Sequence, residues 1–453
     1  MEFSDKKICI LGLSKSGISA AKHLASVGAL CTISEKKERT DEDAYIIEEL
    51  EALGIIVETG EHKKETITGS DLIVTSPGIP PLAEVFKLAK VKAIPVLSEI
   101  DIAYLSTETP FLAITGTNGK TTTTKLLAEI LQNGGKKTEA CGNIGVPPCD
   151  LLKEELDYFT LEISSYQIAT SQYFEPKAAC FINYSPDHVN WHGSEENYFD
   201  AKAQMFTGAN AAEYAVLNAN DSKVISLKDE CENEVFTFGK EDEKNCVYIE
   251  DEIIKFKDEN GEIQDITQVS KVSLKGAHNL ENIMCAVAMA KIAGIQNELI
   301  ADTLSKFEPP EHRLEFVCEI DGKKYYNDSK ATNTDAAIKA IEAFAGQSVA
   351  LIAGGRDKMT PLDDFVKVAQ EGTDYVILLG EATQRFEAAF KKAGYKNLDK
   401  AQNFEEAIEL ASKKDVENIL LAPACASFDM FKSFEERGQV FKNYVREKLQ
   451  QTK

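Results

Sequence analysis

The sequence predicts an α/β protein of three successive domains, and three features carry that expectation. Apolar runs of strand length alternate with helical patterns along most of the chain. The alternation yields to a β-rich, charged interval only between residues 235 and 274. A chain of 453 residues is also too long for one ordinary hydrophobic core. The expected partition is 1–105, 106–310 and 311–453. The first and last pieces read as Rossmann-like, and the middle one as P-loop-type with a mainly parallel sheet.

Taken in order, Lys7 to Leu13 reads as a strand, Ile18 to Val27 as a helix and Leu30 to Ser34 as a second strand. Asp71 to Thr75 is a later strand that ends in Ser76-Pro77-Gly78. This is a doubly wound opening, in which ligands gather at the strand C-termini. The turn Gly12-Leu13-Ser14-Lys15-Ser16-Gly17 is not the dinucleotide fingerprint, because Ser14 stands where the second glycine should be. It suits either a small phosphate-binding turn or ordinary helix packing. Glu35, Lys36 and Lys37 follow the second strand, where a nucleotide's ribose or base edge often lies; as residues alone they read as a solvated charge run. Pro95 to Leu105 reads as the exit from this domain.

The middle domain opens on Phe111 to Ile114, an apolar strand, followed by Thr115-Gly116-Thr117-Asn118-Gly119-Lys120-Thr121 and a helix from Thr122 to Leu131. Strand, glycine loop, lysine, hydroxyl and helix form the layout of a phosphate cradle. Backbone N–H groups and the helix N-terminus meet the anion, Lys120 adds a charge, and the Thr121 hydroxyl suits Mg²⁺. The spacing departs from the general P-loop, since Ile114 occupies the place of its first glycine. Further strands are expected near Phe159–Ile163, Ala179–Asn183 and Tyr214–Leu217, then an antiparallel edge from Val235 to Leu274 and a helix from His278 to Ile292. Glu308-Pro309-Pro310 breaks the chain. Strands near Tyr325, Val349–Ala353, Tyr375–Leu379 and Ile419–Ala422 build the last domain.

Two residues after successive strands are candidate metal ligands. Glu162 is an acid inside the apolar run Leu161-Glu162-Ile163, and a buried carboxylate needs a metal or a basic partner. His188 follows the next strand and forms an H-x-x-x-H pair with His192. Val189 stands where a zinc hydrolase carries its glutamate, so that chemistry is excluded; on the residues alone a structural histidine remains open. The ten cysteines are scattered singly with no CxxC, which reads as reduced thiols in cytoplasm, not disulfides or zinc. No apolar run of membrane-spanning length and no signal-peptide pattern is present. A net charge of −24 argues against a general nucleic-acid or membrane-surface binder, so anionic ligands need local lysines and arginines.

These motifs together resemble the Mur ligase family of ATP-dependent amide-forming enzymes of peptidoglycan synthesis. The resemblance runs through Ala113–Thr122, Leu161–Ser165, Asp187-His188, Tyr198–Lys202, His278–Asn282 and His312-Arg313. Asn327–Asn333, then Leu421–Asp429 with Phe434 and Arg437-Gly438, resemble the branch that adds D-glutamate. Lys36 and Lys37 depart from the threonine and arginine of some members. The resemblance implies that a carboxylate on UDP-N-acetylmuramoyl-L-alanine is activated by ATP as an acyl phosphate, which the amine of D-glutamate then attacks. It implies a catalytic set of Lys120, Glu162, His188 and Lys202. Two Mg²⁺ sites are expected among Thr121, Glu162, His188 and a carbamylated Lys202, which as a residue alone reads as an unmodified lysine on a surface helix. ATP is expected on Gly116, Thr117, Asn118, Gly119, Lys120, Thr121, Thr122, Asn282, Arg313 and Asp328. Substrate positions are expected at Ser14, Lys15, Glu35, Lys36, Ser76, Pro77, Gly78, Asn143 and Ser164. Lys330, Thr332, Lys358, Ser427 and Phe434 are expected to frame D-glutamate. A monomer is expected, with no nucleic acid and no membrane as partner.

Competing readings are another family member, such as a folylpolyglutamate synthase or a ligase adding a different amino acid, a nicotinamide oxidoreductase on Gly12–Gly17, and a plain NTP hydrolase on Gly116–Thr121. The Asn327–Asn333 heptad opposes the first and the missing glycine opposes the second. The third leaves the last domain without a task.

Overall fold

The computed structural model of the protein describes residues 2–40, 43–80, 83–274, 276–308 and 311–447, so the expected break at Pro309-Pro310 lies outside the described residues. The chain divides into two compact units, Met1–Phe307 and Glu308–Lys453. The first unit holds two sheets and the second unit one.

In the first unit, β1 (Lys7–Leu11), β2 (Leu30–Ser34), β3 (Ile56–Glu58), β4 (Leu72–Thr75) and β5 (Val96–Ser98) form a parallel sheet in the order β3-β2-β1-β4-β5. The order reverses between β1 and β4, which opens a ligand crevice at their C-terminal ends. Helix Lys15–Ser26 begins after β1, capped by Ser14. Gly17 lies so close to the turn that a methyl group there would fall 2.3 Å from the Gly12 carbonyl oxygen. Helix packing therefore accounts for this glycine.

The second sheet of that unit comprises β6 (Phe111–Thr115), β7 (Thr138–Gly142), β8 (Tyr158–Glu162), β9 (Ala178–Phe181), β10 (Tyr214–Asn218), β11 (Glu234–Phe238), β12 (Cys246–Glu250), β13 (Ile253–Lys257) and β14 (Ile263–Gln268). Their order is β14-β13-β12-β11-β10-β9-β6-β8-β7. The antiparallel edge expected from Val235 onward begins later, because β11 and β12 still run parallel to β10, and only the β12–β13 and β13–β14 pairs of this sheet are antiparallel. Central β6 is wholly buried under Leu126, Leu127, Ile130 and Leu131 of helix Lys120–Asn133, as expected for a strand covered on both faces.

The expected exit at Pro95–Leu105 is itself structured. Val96–Ser98 is the fifth strand, and Ser98 with Asp101 forms a capping box on helix Glu99–Leu105. The Asp101 carboxylate, fully buried, also accepts the N–H groups of Gln172, Tyr173 and Phe174 at 3.0, 2.8 and 3.1 Å. Nearby, Glu99 Oε1 accepts the Cys149 N–H at 2.9 Å, and Ser19 donates to Asp150 at 2.7 Å. The two sheets of the first unit are thus joined by polar bonds as well as by Tyr104, whose ring packs on Phe111 and Phe174.

The second unit carries β15 (Glu315–Ile320), β16 (Lys323–Asn327), β17 (Val349–Gly354), β18 (Tyr375–Leu379), β19 (Leu398–Lys400) and β20 (Asn418–Leu421), in the order β15-β16-β20-β17-β18-β19. Only the β15–β16 pair is antiparallel. Among the described residues no helix is long and apolar enough to cross a membrane.

Candidate active site

The glycine loop leaves β6 and enters helix Lys120–Asn133 at Gly119, whose φ of +86° suits glycine. A methyl group at Gly119 would fall 2.1 Å from Asn282 Oδ1, so a larger residue would add backbone strain and have to displace that carboxamide. Asn282, buried on helix Ala277–Ile292 and expected at the adenine, thus has its carboxamide against the loop itself. Lys120 folds back and donates to the carbonyls of Gly116 and Thr117, both at 2.9 Å. The buried Thr122 hydroxyl has no hydrogen-bond partner among the described residues.

Two loop N–H groups are engaged by Asn183. Thr117 N–H donates to the Asn183 carbonyl at 3.0 Å, and Asn118 N–H to Asn183 Oδ1 at 2.9 Å. The first turn of the helix, whose N–H groups have no intrahelical acceptor, remains for an anion on this loop.

Thr121 Oγ1 donates to Glu162 Oε2 at 2.7 Å, and Asn143 Nδ2 donates to Glu162 Oε1 at 2.8 Å. A hydroxyl and an amide therefore satisfy this carboxylate, which is 2% exposed and was expected to need a metal or basic partner. Among the described residues no group of three or more His, Cys, Asp or Glu side chains is gathered around a metal position. Mg²⁺ on a nucleotide does not need one. It takes one or two carboxylates, phosphate oxygens and water, which the Thr121–Glu162 pair and the unpaired Thr122 hydroxyl fit.

Beyond β9, His188 sits at φ +55°; its N–H donates to Asp187 Oδ1 at 2.8 Å and its ring lies 4.8 Å from that of Tyr166. Lys202 lies on helix Glu195–Thr207, but the surface-lysine reading is wrong: the side chain is 1% exposed. Its Nζ donates to Gly116 O at 2.9 Å and Thr115 Oγ1 at 3.2 Å, and lies 4.9 Å from the centre of the Tyr198 ring. Burial, then the charge of Lys120, pushes this ammonium well below its usual pKa against the pull of Asp187 and Glu162. Burial and the Lys202 charge also push His192 down to about 4, beside Ser165 Oγ at 3.0 Å.

In the first sheet, Ser14, Glu35 and Ser76 converge at the crevice. Ser14 Oγ lies 3.1 Å from Ser76 Oγ, and Ser76 Oγ donates to Leu11 O at 2.6 Å. Glu35 departs from the solvated charge run, because Oε2 accepts the Leu13 N–H at 2.8 Å. Desolvation raises its pKa, but the N–H groups of Leu13 and Lys37 outweigh this and hold it below the usual range. Lys15, Lys36 and Gly78 are exposed and Pro77 half-buried. Ser164 serves as a helix cap, donating to Gln167 Oε1 at 2.9 Å.

In the second unit, Asp328 is buried and pushed up to about 6 by desolvation, opposed by Arg313, the Leu314 N–H and Lys330. Lys330 Nζ lies 5.3 Å from the centre of the Phe434 ring. Arg437, 1% exposed, donates to Ser329 Oγ at 2.9 Å, Ser329 O at 2.8 Å and Cys425 O at 3.2 Å. It ties the segment bearing Lys330 and Thr332 to the one bearing buried Ser427. Lys358 is half-buried in the loop after β17, next to Asp357, which pairs with Arg385 through bonds of 2.5 and 2.7 Å.

Comparison with known proteins assigns the chain. The Mur ligase MurD-like N-terminal domain matches residues 6–98, the Mur ligase middle domain 114–290, and the Mur ligase glutamate ligase domain 312–425. The chain belongs to the Mur ligase family. A UDP-N-acetylmuramoylalanine--D-glutamate ligase of Thermoanaerobacter pseudethanolicus is 42% identical over 454 residues, covering 99% of each chain. One from Koribacter versatilis is 40% identical and covers 100% of both. Among solved structures, the UDP-N-acetylmuramate-alanine ligase of Thermotoga maritima has a TM-score of 0.61 at 19% identity, covering 99% of this chain and 100% of its own. A folylpolyglutamate synthase of Mycobacterium tuberculosis has a TM-score of 0.58 at 14% identity, covering 74% and 92%. At such identities the structures speak to the fold alone.

For this Mur ligase, the expected site residues of the first unit gather at two places. Gly116–Thr122, Asn143, Glu162 and Lys202 are linked around the loop with Asn282 packed on it; Ser14, Glu35 and Ser76 meet at the first crevice. Asn183 escaped sequence reading. Its signal was a polar residue closing the apolar run after Ala179, at the C-terminal end of a central parallel strand.

Proposed function

We propose that this Mur ligase joins D-glutamate to UDP-N-acetylmuramoyl-L-alanine in peptidoglycan synthesis, at the expense of ATP. The carboxylate of the alanyl residue attacks the γ-phosphorus, forming a C–O–P linkage as ADP leaves. The D-glutamate amine attacks that acyl phosphate, inorganic phosphate departs with the bonding pair, and the amine proton passes to solvent. The observation that carries the reading is the Thr121–Glu162 pair beneath the Lys120 loop, in a chain 42% identical over nearly its whole length to proteins bearing that ligase's name.

The work of this chain is positioning and charge neutralisation. Lys120 exchanges loop carbonyls for phosphate oxygens, and the first helical turn donates N–H groups. Thr121 and Glu162, with Asn143 orienting the carboxylate, would hold one Mg²⁺; His188 and a carbamylated Lys202 would hold a second. When bound, the cations neutralise phosphate charge and polarise the transferring group. Burial supports the Lys202 assignment, because the neutral amine that reacts with CO₂ is favoured there. Lys330, Thr332, Lys358, Ser427 and Phe434 frame D-glutamate, and Arg313 and Asp328 serve ATP. In a protein of net charge −24 such lysines supply the local attraction that a dicarboxylate needs. We assign 1–105 to the UDP-sugar, 106–310 to ATP and 311–453 to the amino acid, in a cytoplasmic monomer without nucleic-acid or membrane partners.

Product formation from UDP-N-acetylmuramoyl-L-alanine, ATP and Mg²⁺ tests the assignment when each amino acid is supplied in turn. Turnover is expected with D-glutamate; equal turnover with L-glutamate, meso-diaminopimelate or L-lysine would refute it.

A further inference from the structure

The phosphate loop is strapped to the segment that follows β9, and one residue there, Asn183, makes three of the bonds. Asn183 Oδ1 accepts the Asn118 N–H at 2.9 Å while Asn183 Nδ2 donates to the Asn118 carbonyl at 3.1 Å. The Asn183 carbonyl accepts the Thr117 N–H at 3.0 Å. Two residues on, the Ser185 N–H donates to Thr117 Oγ1 at 3.0 Å, and Thr117 Oγ1 lies 3.0 Å from Ser185 O. A carboxamide that grips both the N–H and the C=O of one residue fixes the peptide planes on either side of it. Those planes are the ones leading into Gly119 and the first turn of helix Lys120–Asn133.

The orientation has a direct electrostatic meaning. A carbonyl turned toward bound phosphate would repel it, whereas the Asn183 Nδ2 bond keeps the Asn118 carbonyl directed at Asn183. Loop geometry fixed before binding spares the ligand the cost of ordering it. No metal ligand, catalytic group or helix cap of the ATP site has this task, and a hydrophobic residue at 183 would leave the N–H and the carbonyl of Asn118 to reorganise.

We infer that Asn183 is the positioning residue of the phosphate loop, setting nucleotide affinity through the Asn118 peptide without touching the reacting atoms. The inference rests on the reading of this loop as the ATP site, and the test separates the two. Calorimetric titration of the full chain with ADP and Mg²⁺ gives nucleotide affinity, and titration with UDP gives an internal control on the first sheet. Asn183→Ala should weaken ADP binding and raise the KM for ATP, each at least tenfold, with UDP binding and the KM for D-glutamate within twofold of the parent. Asn183→Asp, close to isosteric, retains the acceptor for the Asn118 N–H but loses the donor and adds negative charge, so its loss should be larger still. Parental ADP affinity in either variant overturns the inference. A parallel loss of ADP and UDP binding does so too, by making Asn183 a general structural residue. Failure of the parent chain to bind ADP overturns instead the reading of the loop on which the inference depends.

Discussion

Replacing Glu99 by glutamine should make the stability of this protein less dependent on pH, by an amount that follows from the burial of one carboxyl. Glu99 is 3% exposed; Oε1 accepts the Cys149 N–H, but Oε2 is buried without a hydrogen-bond partner among the described residues. Desolvation raises its pKa from 4.5 to about 7, against the Cys149 N–H and S–H and with the help of Asp150. Below pH 4.5 both folded and unfolded chains carry the proton, and no penalty exists. Between pH 4.5 and 7 the unfolded chain releases it while the folded chain retains it, so stability falls as pH rises, and above 7 the loss is complete. The shift of 7 − 4.5 = 2.5 units corresponds to about 3 kcal/mol at 1.36 kcal/mol per unit. Glu99→Gln cannot ionise, so its stability relative to the parent should climb by that order between pH 5 and 8, all other titrations cancelling. The single tryptophan, Trp191, lies in the same compact unit, and its fluorescence during urea unfolding reports that unit. A stability difference that stays constant across this range would refute the argument.

Three further outcomes concern the loop and the lysine buried against it. Lys120→Ala should lower turnover by about 10²- to 10³-fold, as expected for one preorganised charge contact in a water-poor site; near-parental ATP-dependent turnover in a folded variant would remove Lys120 from the chemistry. Lys202→Arg retains a cation but cannot form the carbamate, and it must fit a larger head into a buried slot beside Gly116 O and Thr115 Oγ1, so it should be nearly inactive. Lys202→Ala should be equally inactive but partly restored by added small carboxylates or chloride, measured as phosphate release. Parental turnover in Lys202→Arg would rule out the carbamate.

The strands that build the sheets were legible because parallel sheets covered on both faces leave long apolar runs, as in Phe111–Thr115 and Val349–Gly354. Short edge strands were not. Thr138–Gly142 and Leu398–Lys400 carry too few apolar residues to stand out, and their pairing comes from neighbours distant in sequence. Helix Glu99–Leu105 was hidden in an apparent exit, although Ser98 with Asp101 carried a capping signal. At the site, residue types announced Lys120, Thr121 and Glu162. The burial of Lys202 could not be read from its helix, whose acidic and polar residues suggest a surface, because Thr115 and Gly116 that enclose its ammonium lie 87 and 86 residues away. Asn183 is silent for a similar reason: its role is defined by the backbone of Asn118, 65 positions earlier.

Asp101 bears on how this protein can be divided. Its carboxylate belongs to the helix that closes the first sheet, yet it completes the N–H groups of Gln172, Tyr173 and Phe174 in the segment that leads into β9 of the second. A fragment ending at residue 105 would keep an anion without its cradle, and one beginning at 106 would keep three amides without an acceptor. Each stranded amide costs about 1–3 kcal/mol where water cannot reach it. Recombination between homologues at this junction is therefore constrained by one carboxylate: a chimaera inherits a sound seam only when an acid at 101 and the 172–174 backbone arrive in matching register.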